Sequence, residues 1–363
     1  MPEVLITGGG GLVGLNAARA LAMEGVPVVI TARQRDDRID RAVDDFRDLI
    51  TIEPIDLARG SEVFDLFSRY RFRGVIHAAQ AHQRAQTRAA NRANYDMAFN
   101  CLEAAEASGV NRFLLVSSII VYAGLGAPLS EDKRFPVQVT VDESPDALFS
   151  LPGPEGGRQL LAPTFEVAVK RALEGIALDY ATPMQMGGSA KVRAGQKFNE
   201  NRLDVAVLRI STEFGPGYTH MGSPLSRAVH TLAGKGDLMS GTGYMGMPLP
   251  DLWNLIAMSP LTYVRDTANA LVRMMQIDAL PHRMYNLSSG FTTSPREQLQ
   301  ALNRLRPDAA ALLKIDPDAL REEPYPTHGF SADRLTEDTG WSPGYAFEEA
   351  LEDYIGWLQQ HPW

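Results

Sequence analysis

Apolar runs alternate with amphipathic stretches through the first half of the chain, and the alternation predicts strands and helices in turn. Val4-Leu5-Ile6-Thr7, Val28-Val29-Ile30-Thr31, Ile50-Thr51-Ile52-Glu53-Pro54-Ile55, Gly74-Val75-Ile76-His77-Ala78-Ala79 and Arg112-Phe113-Leu114-Leu115-Val116-Ser117 read as five strands, and residues 205–209 as a sixth. They lack polar alternation, which marks parallel strands covered on both faces. Helical patterns fall at residues 13–24, 61–70, 90–108 and about 164–180. Strand–helix alternation with right-handed crossovers predicts an α/β fold built on a doubly wound parallel sheet. Beyond residue 215 the pattern loosens. Glycine, proline and methionine thicken up to Pro260, and short helices are expected at 295–304 and 347–359.

The first strand runs directly into Gly8-Gly9-Gly10-Gly11-Leu12-Val13-Gly14, and a helix follows. Strand, glycine turn and helix together suit a dinucleotide. Gly8 allows the tight turn, Gly11 lets backbone approach a pyrophosphate, and Gly14 lets helix pack on strand. Leu12 and Val13 carry the first helical N–H groups, which face the phosphates with a partial positive charge. The sheet is therefore expected to be of Rossmann type. Its domain is residues 1–185 with about 203–214 and 261–280. A smaller C-terminal α/β substrate lobe takes about 186–202, 215–260 and 281–363. The polar segment 186–202 reads as a loop or lid.

Composition narrows the function classes. Among 363 residues, 45% are hydrophobic and 22% charged, the balance of a soluble globular protein. Net charge is −9 with no long run of Lys or Arg, so a nucleic-acid surface is not expected. No apolar run reaches membrane-helix length. With the first strand read from about residue 3, no leader is expected. The single cysteine, Cys101, lies in an apolar stretch and reads as a buried small hydrophobe. A cytoplasmic protein fits these features. No metal site is expected.

In order along the chain, further landmarks agree with one family. Asp56-Leu57 follows the third strand, His77-Ala78-Ala79 ends the fourth, and Asn94 precedes Leu102-Glu103-Ala104-Ala105. Ser117-Ser118-Ile119-Ile120-Val121-Tyr122, Leu208-Arg209, Phe214-Gly215-Pro216-Gly217, Tyr263-Val264-Arg265-Asp266, Tyr285-Asn286-Leu287 and Gly340-Trp341-Ser342-Pro343 follow. With Thr7-Gly8-Gly9-Gly10-Gly11-Leu12-Val13-Gly14, the chain resembles the extended short-chain dehydrogenase/reductase, or NAD-dependent epimerase/dehydratase, family over nearly its whole length. The resemblance implies an NAD(P)-dependent enzyme. It implies that Asp56 and Leu57 lie at the adenine, that Ala78, Ala79 and Asn94 line the cofactor, and that Ser118 is the active-site serine.

One departure changes the chemistry. The family's Tyr-x-x-x-Lys pair has no counterpart here, since no tyrosine is followed by lysine four residues later. The register of Thr164-Phe165-Glu166-Val167-Ala168-Val169-Lys170, with Pro163 before it, puts Lys170 in the lysine position and Glu166 in the tyrosine slot. Glu and Lys four apart also form the common ion pair of exposed helices, worth about 0.2–0.5 kcal/mol. In the family register both stand beside the nicotinamide ribose. A carboxylate near pH 7, with Lys⁺ lowering its pKa further, accepts a proton but donates one poorly. Glu166 therefore suits proton removal from an alcohol, or from carbon next to a carbonyl. Ser118 would polarise the reacting oxygen and Lys170 would hold the ribose hydroxyls. Tyr122 could serve as an alternative donor or pack near the ring. Glu143 reads as a solvated loop acid.

The cofactor is expected to be NADP, with NAD the second choice. Ala32, where NAD-binding members carry an acid, cannot take a ribose 2′-hydroxyl; Arg33 follows, with Arg35 nearby, and can pair a 2′-phosphate. The stretch Gly241-Thr242-Gly243-Tyr244-Met245-Gly246-Met247-Pro248-Leu249-Pro250 lacks the arginine that nucleotide-sugar members place there. Met221, Met239, Met245, Met247, Trp253 and Met258 make the region apolar. A small hydroxyl, carbonyl or sugar-like substrate is therefore expected. The alternative is a non-catalytic NADP-binding sensor or scaffold. By the same resemblance, a homodimer through a four-helix bundle would use Ala98, Leu102, Ala105, Ala172 and Ile176, positions that equally suit packing on the sheet.

Overall fold

The computed structural model describes residues 3–81, 87–144, 146–153, 156–162, 164–181, 203–240, 247–256, 259–324 and 326–361. The expected loop or lid at 186–202 lies outside them, as do Pro163, Gly241 to Gly246 and Met258. The chain begins with β1 (Glu3–Thr7), α1 (Leu12–Met23), β2 (Val28–Ala32), α2 (Asp37–Ala42) and β3 (Ile50–Pro54). Next come α3 (Gly60–Arg69), β4 (Phe72–His77), α4 (Arg88–Ala107) and β5 (Arg112–Ser118). A small hairpin of β6 (Ser150–Pro152) and β7 (Arg158–Leu160) precedes α5 (Thr164–Asp179) and β8 (Asp204–Ile210). Then follow β9 (Thr212–Phe214), α6 (Pro224–Leu232), α7 (Leu249–Ile256), β10 (Leu261–Tyr263), α8 (Val264–Gln276) and β11 (Met284–Leu287). The last helices are α9 (Pro295–Leu305), α10 (Ala309–Leu313), α11 (Asp333–Thr339) and α12 (Phe347–Gln360).

Seven strands form one parallel sheet in the order β11-β8-β5-β4-β1-β2-β3. Successive side chains on a strand point to opposite faces, so each strand feeds two apolar layers. Leu5, Val29, Val75, Phe113 and Val205 face Val63, Leu66, Leu102, Ala105 and Ala177 from α3, α4 and α5. Ile6, Ile30, Ile76, Leu114 and Leu208 face Leu15, Leu21, Leu271 and Met274 from α1 and α8. The expected doubly wound α/β fold is the one observed. Its seventh strand, β11, comes from within the stretch 281–363 that the sequence assigns to the lobe. The helix α2 is an addition; Asp36 caps it by accepting from Ile39 N–H.

For two apolar sets the structure favours packing within the chain, one of the placements the sequence leaves open. Ala98, Leu102 and Ala105 are almost fully buried, the last two in the core layer beneath the sheet, so within one chain they are core rather than a free dimer face; Ala172 is exposed and Ile176 half-buried. Met239 and Trp253 likewise belong to the core, and Trp253 Nε1 donates to Gln298 Oε1 at 2.7 Å.

Candidate functional site

The strand order reverses between β1 and β4, where α/β sheets open a crevice beyond the strands' carboxyl ends. The glycine turn stands at its floor. Gly8 has φ +70°, a conformation that costs a residue with a Cβ, and a Cβ there would come within 2.7 Å of Ala79 Cα. A Cβ on Gly14 would collide with Gly8 O, so only glycine lets α1 seat so closely on β1. Gly11 is exposed, caps α1 without a side-chain bond, and its Cβ direction is open apart from Gly8 O at 3.2 Å. Leu12 and Val13 are half-buried beside it. This notch, floored by backbone at a helix N-terminus, fits a pyrophosphate.

Neighbouring segments are fastened around it. Thr7 Oγ1 accepts from Ala79 N–H at 3.3 Å and lies 2.9 Å from His77 Nδ1. A hydroxyl has a second lone pair as well as its proton, so it can bond the neutral imidazole in either tautomer. Burial, then the charge of Lys170, pushes the His77 pKa down to about 4. Asn94 Oδ1 accepts from Ala81 N–H at 2.6 Å, which fixes the loop after β4. Asn100 Nδ2 donates to Leu57 O at 2.9 Å, and Asp56 Oδ1 accepts from Ala58 N–H at 3.1 Å. Asn16 Nδ2 donates to Pro216 O at 2.7 Å, tying the Phe214-Gly215-Pro216-Gly217 turn to α1. At the end of β2, Arg33 is exposed, whereas Arg35 is engaged by Asp40 at 2.6 Å.

Glu166 and Lys170 sit one turn apart on α5. Glu166 is 6% exposed and faces the loop after β4, not bulk solvent. The two do not pair directly. Gln80 Nε2 donates to Glu166 Oε1 at 3.1 Å, and Lys170 Nζ donates to Gln80 Oε1 at 3.3 Å. Desolvation lowers the Lys170 pKa, opposed by the charges of Glu166 and Glu174. Ser118 ends β5. Its Oγ accepts from Ile120 N–H at 3.3 Å, capping the short turn of residues 119–122, and it makes no bond to Glu166 or Lys170. Arg171 locks that turn to α5 by donating to Val121 O at 2.8 Å and Ala123 O at 3.3 Å.

Beneath α5 runs a buried polar chain. Ser117 Oγ donates to Glu174 Oε1 at 2.6 Å, Glu174 pairs with Arg209 at 2.8 Å, and Arg209 Nη1 donates to the Tyr122 hydroxyl at 2.6 Å. The same hydroxyl reaches Asn286 Oδ1 and Ser130 O, both at 2.9 Å. Tyr122 is fully buried and burial pushes its pKa up to about 12, so it is a structural anchor and is not poised to donate a proton. Glu143 is exposed. Nothing in the sequence marked Gln80, Arg171 or Glu213. The last is a carboxyl on β9 that burial pushes up to about 7 while it accepts from Thr267 Oγ1 at 2.9 Å.

A parallel sheet in this order, with a glycine turn at its switch point, defines an α/β fold of Rossmann type. Residues 4–140 match the model of the NAD dependent epimerase/dehydratase family. Solved structures agree on the fold. The chain is 17% identical to the UDP-glucose-4-epimerase of Stenotrophomonas maltophila, solved with bound NAD and formylated UDP-arabinopyranose. The alignment covers 99% of this chain and 98% of that one, with a TM-score of 0.66. It is 15% identical to the dTDP-glucose 4,6-dehydratase of Bacillus anthracis in complex with NAD, covering 100% and 98%, TM-score 0.64. It is 16% identical to the UDP-glucose 4-epimerase of Thermotoga maritima with UDP-glucose, covering 99% of each, TM-score 0.62. No curated protein matches the chain.

Proposed function

We propose that the chain is an NAD(P)-dependent oxidoreductase or epimerase/dehydratase-type enzyme acting on a small hydroxyl, carbonyl or sugar-like substrate, with Glu166 as proton acceptor. The observation that carries this reading is the Glu166 carboxylate. It is buried, turned toward the loop that follows β4, and backed by Lys170 through Gln80. A solvated i,i+4 pair would point outward and meet directly. Among the described residues Glu166 Oε2 has no partner, which leaves one oxygen to take a proton from a substrate hydroxyl or C–H. Lys170 supplies positive charge at the same spot, and Ser118 stands ready to exchange its local bond for one to a reacting oxygen.

The cofactor, when bound, would exchange hydride with the substrate. Gly8, Gly11, Leu12, Val13 and Gly14 would hold its pyrophosphate, Asp56 and Leu57 its adenine side, and Ala78, Ala79, Asn94 and Lys170 the nicotinamide half. The solved neighbours with a named dinucleotide hold NAD, which supports the nicotinamide dinucleotide class. For this chain we infer NADP. Ala32 offers no acid to a 2′-hydroxyl, and Arg33 is exposed and, among the described residues, outside every ion pair.

The test supplies the purified chain with NADP⁺ or NAD⁺ and a panel of simple alcohols, sugars and nucleotide sugars. It follows reduced nicotinamide spectroscopically and sugar products by chromatography. Turnover with wild type that is abolished in Glu166→Gln is expected. Turnover that survives in Glu166→Gln removes the carboxylate from the mechanism. Tight dinucleotide binding with no turnover on any class would favour the sensor reading.

A further inference from the structure

The i,i+4 spacing of Glu166 and Lys170 is the one at which oppositely charged helical side chains ordinarily close on each other. They remain apart, and the exposed carboxamide of Gln80 fills the interval with both of its hydrogen-bonding ends used in the right sense: the amide N–H toward the carboxylate, the carbonyl toward the ammonium. We propose that Gln80 is a positioning residue of this pair: it prevents the direct Glu166–Lys170 ion pair and so keeps the Lys170 ammonium available to dinucleotide hydroxyls and one Glu166 oxygen available to a proton. The inference rests on the reading that the α5 pair stands beside the dinucleotide.

Gln80 is suited to the task by where it is fixed. It lies three residues beyond the end of β4. The segment around it is pinned at Ala79 N–H by Thr7 Oγ1 and at Ala81 N–H by Asn94 Oδ1. Backbone anchors on both sides hold the carboxamide toward α5. A neutral amide is the side chain that can face both signs at once. A glutamate would repel Glu166 and draw Lys170 to itself. An apolar residue would satisfy neither and let the helix pair collapse. The other charged or titratable groups facing the pair are Glu174, on the same helix and committed to Arg209, and His77, neutral beneath Lys170.

The experiment measures equilibrium binding of NADP⁺ or NAD⁺, whichever binds wild type more tightly, by isothermal calorimetry, with thermal midpoints as the control for folding. Gln80→Leu is expected to keep its midpoint, because the side chain is exposed, and to weaken binding by about tenfold, the scale of one lost charge-assisted contact. In the double variant Gln80→Leu/Glu166→Gln, no carboxylate remains to capture Lys170, so affinity should return to within about twofold of the Glu166→Gln single variant. Unchanged affinity in Gln80→Leu, or no recovery in the double variant, overturns the proposal. Lys170→Met separates the two levels of the argument. If it weakens binding while Gln80→Leu does not, only the role of Gln80 falls. If it leaves binding untouched, the placement of the α5 pair beside the dinucleotide falls, and the role of Gln80 with it.

Discussion

Replacing Glu174 by Gln tests how far the site depends on the ionic link beneath it. Glu174 and Arg209 are 4% and 3% exposed, with Arg209 Nη2 and Nε within 2.8 and 3.1 Å of the two carboxylate oxygens. Removing one partner of such a pair leaves a buried charge without its counterion, which costs about 3–5 kcal/mol. Arg209 would keep the Tyr122 hydroxyl at 2.6 Å and Glu131 O at 3.3 Å, and glutamine would still accept from Ser117. The cost should thus fall near the lower end, about 3 kcal/mol. Urea unfolding is the assay, with the midpoint dropping at unchanged m-value. Arg209→Met should be destabilising for the complementary reason. The double variant Glu174→Gln/Arg209→Met should lose at least about 2 kcal/mol less than the sum of the two singles, because no charge is then stranded. A Glu174→Gln chain within about 1 kcal/mol of wild type, or strictly additive singles, would refute the reasoning. The network also clamps α5 to β5, β8 and β11, so the same variants should weaken dinucleotide binding.

Further outcomes follow from the same structure. Between about pH 4.5 and 7 the folded chain retains a proton on Glu213 that the unfolded chain has released, so this group's stabilisation declines as pH rises through that window. Glu213→Gln should therefore be more stable than wild type at pH 8 by a few kcal/mol (order of magnitude) and nearly equal to it at pH 4, measured by chemical denaturation. His77 and His230, whose pKa values burial depresses to about 4, work the other way: stability is lost as pH falls from about 6.5 toward 4. His77→Gln should flatten that acid limb in the same denaturation series. Gly14→Ala should abolish dinucleotide binding in a calorimetric titration, since its Cβ meets Gly8 O and α1 must move; binding within tenfold of wild type would discredit the cradle. Arg33→Ala should lower NADP⁺ affinity about tenfold with little effect on NAD⁺.

The sheet was legible because its inner strands are apolar on both faces, and β1, β2, β4, β5 and β8 announce themselves as runs rich in Val, Ile and Leu, whereas the edge strand β3 alternates. The strand β11 did not, because Met284-Tyr285-Asn286-Leu287 is short and carries an asparagine whose side chain serves the Tyr122 network. The helix α2 is six residues long, puts only Ile39 and Ala42 into the core, and is started by the Asp36 cap. The positions of Ser118, Glu166 and Lys170 could be read from register, since each is tied to a strand end or helix turn. Gln80 could not, because its meaning arises only when α5 packs beside the loop after β4. The buried face of α4 shows the converse limit: by composition Ala98, Leu102 and Ala105 suit a subunit interface and a core equally, and only packing shows them buried within the chain.

The position of β11 in the chain bears on biosynthesis. Its partner β8 ends at Ile210, yet β11 begins only at Met284, after α6, α7 and α8 have been made. On the ribosome, therefore, the hydrogen-bonding margin of β8 stays bare while seventy-odd residues emerge. An uncovered strand margin invites pairing with another chain. Polypeptides cut short before residue 284 are expected to accumulate as insoluble material, whereas those ending just after β11 should remain in the supernatant for longer.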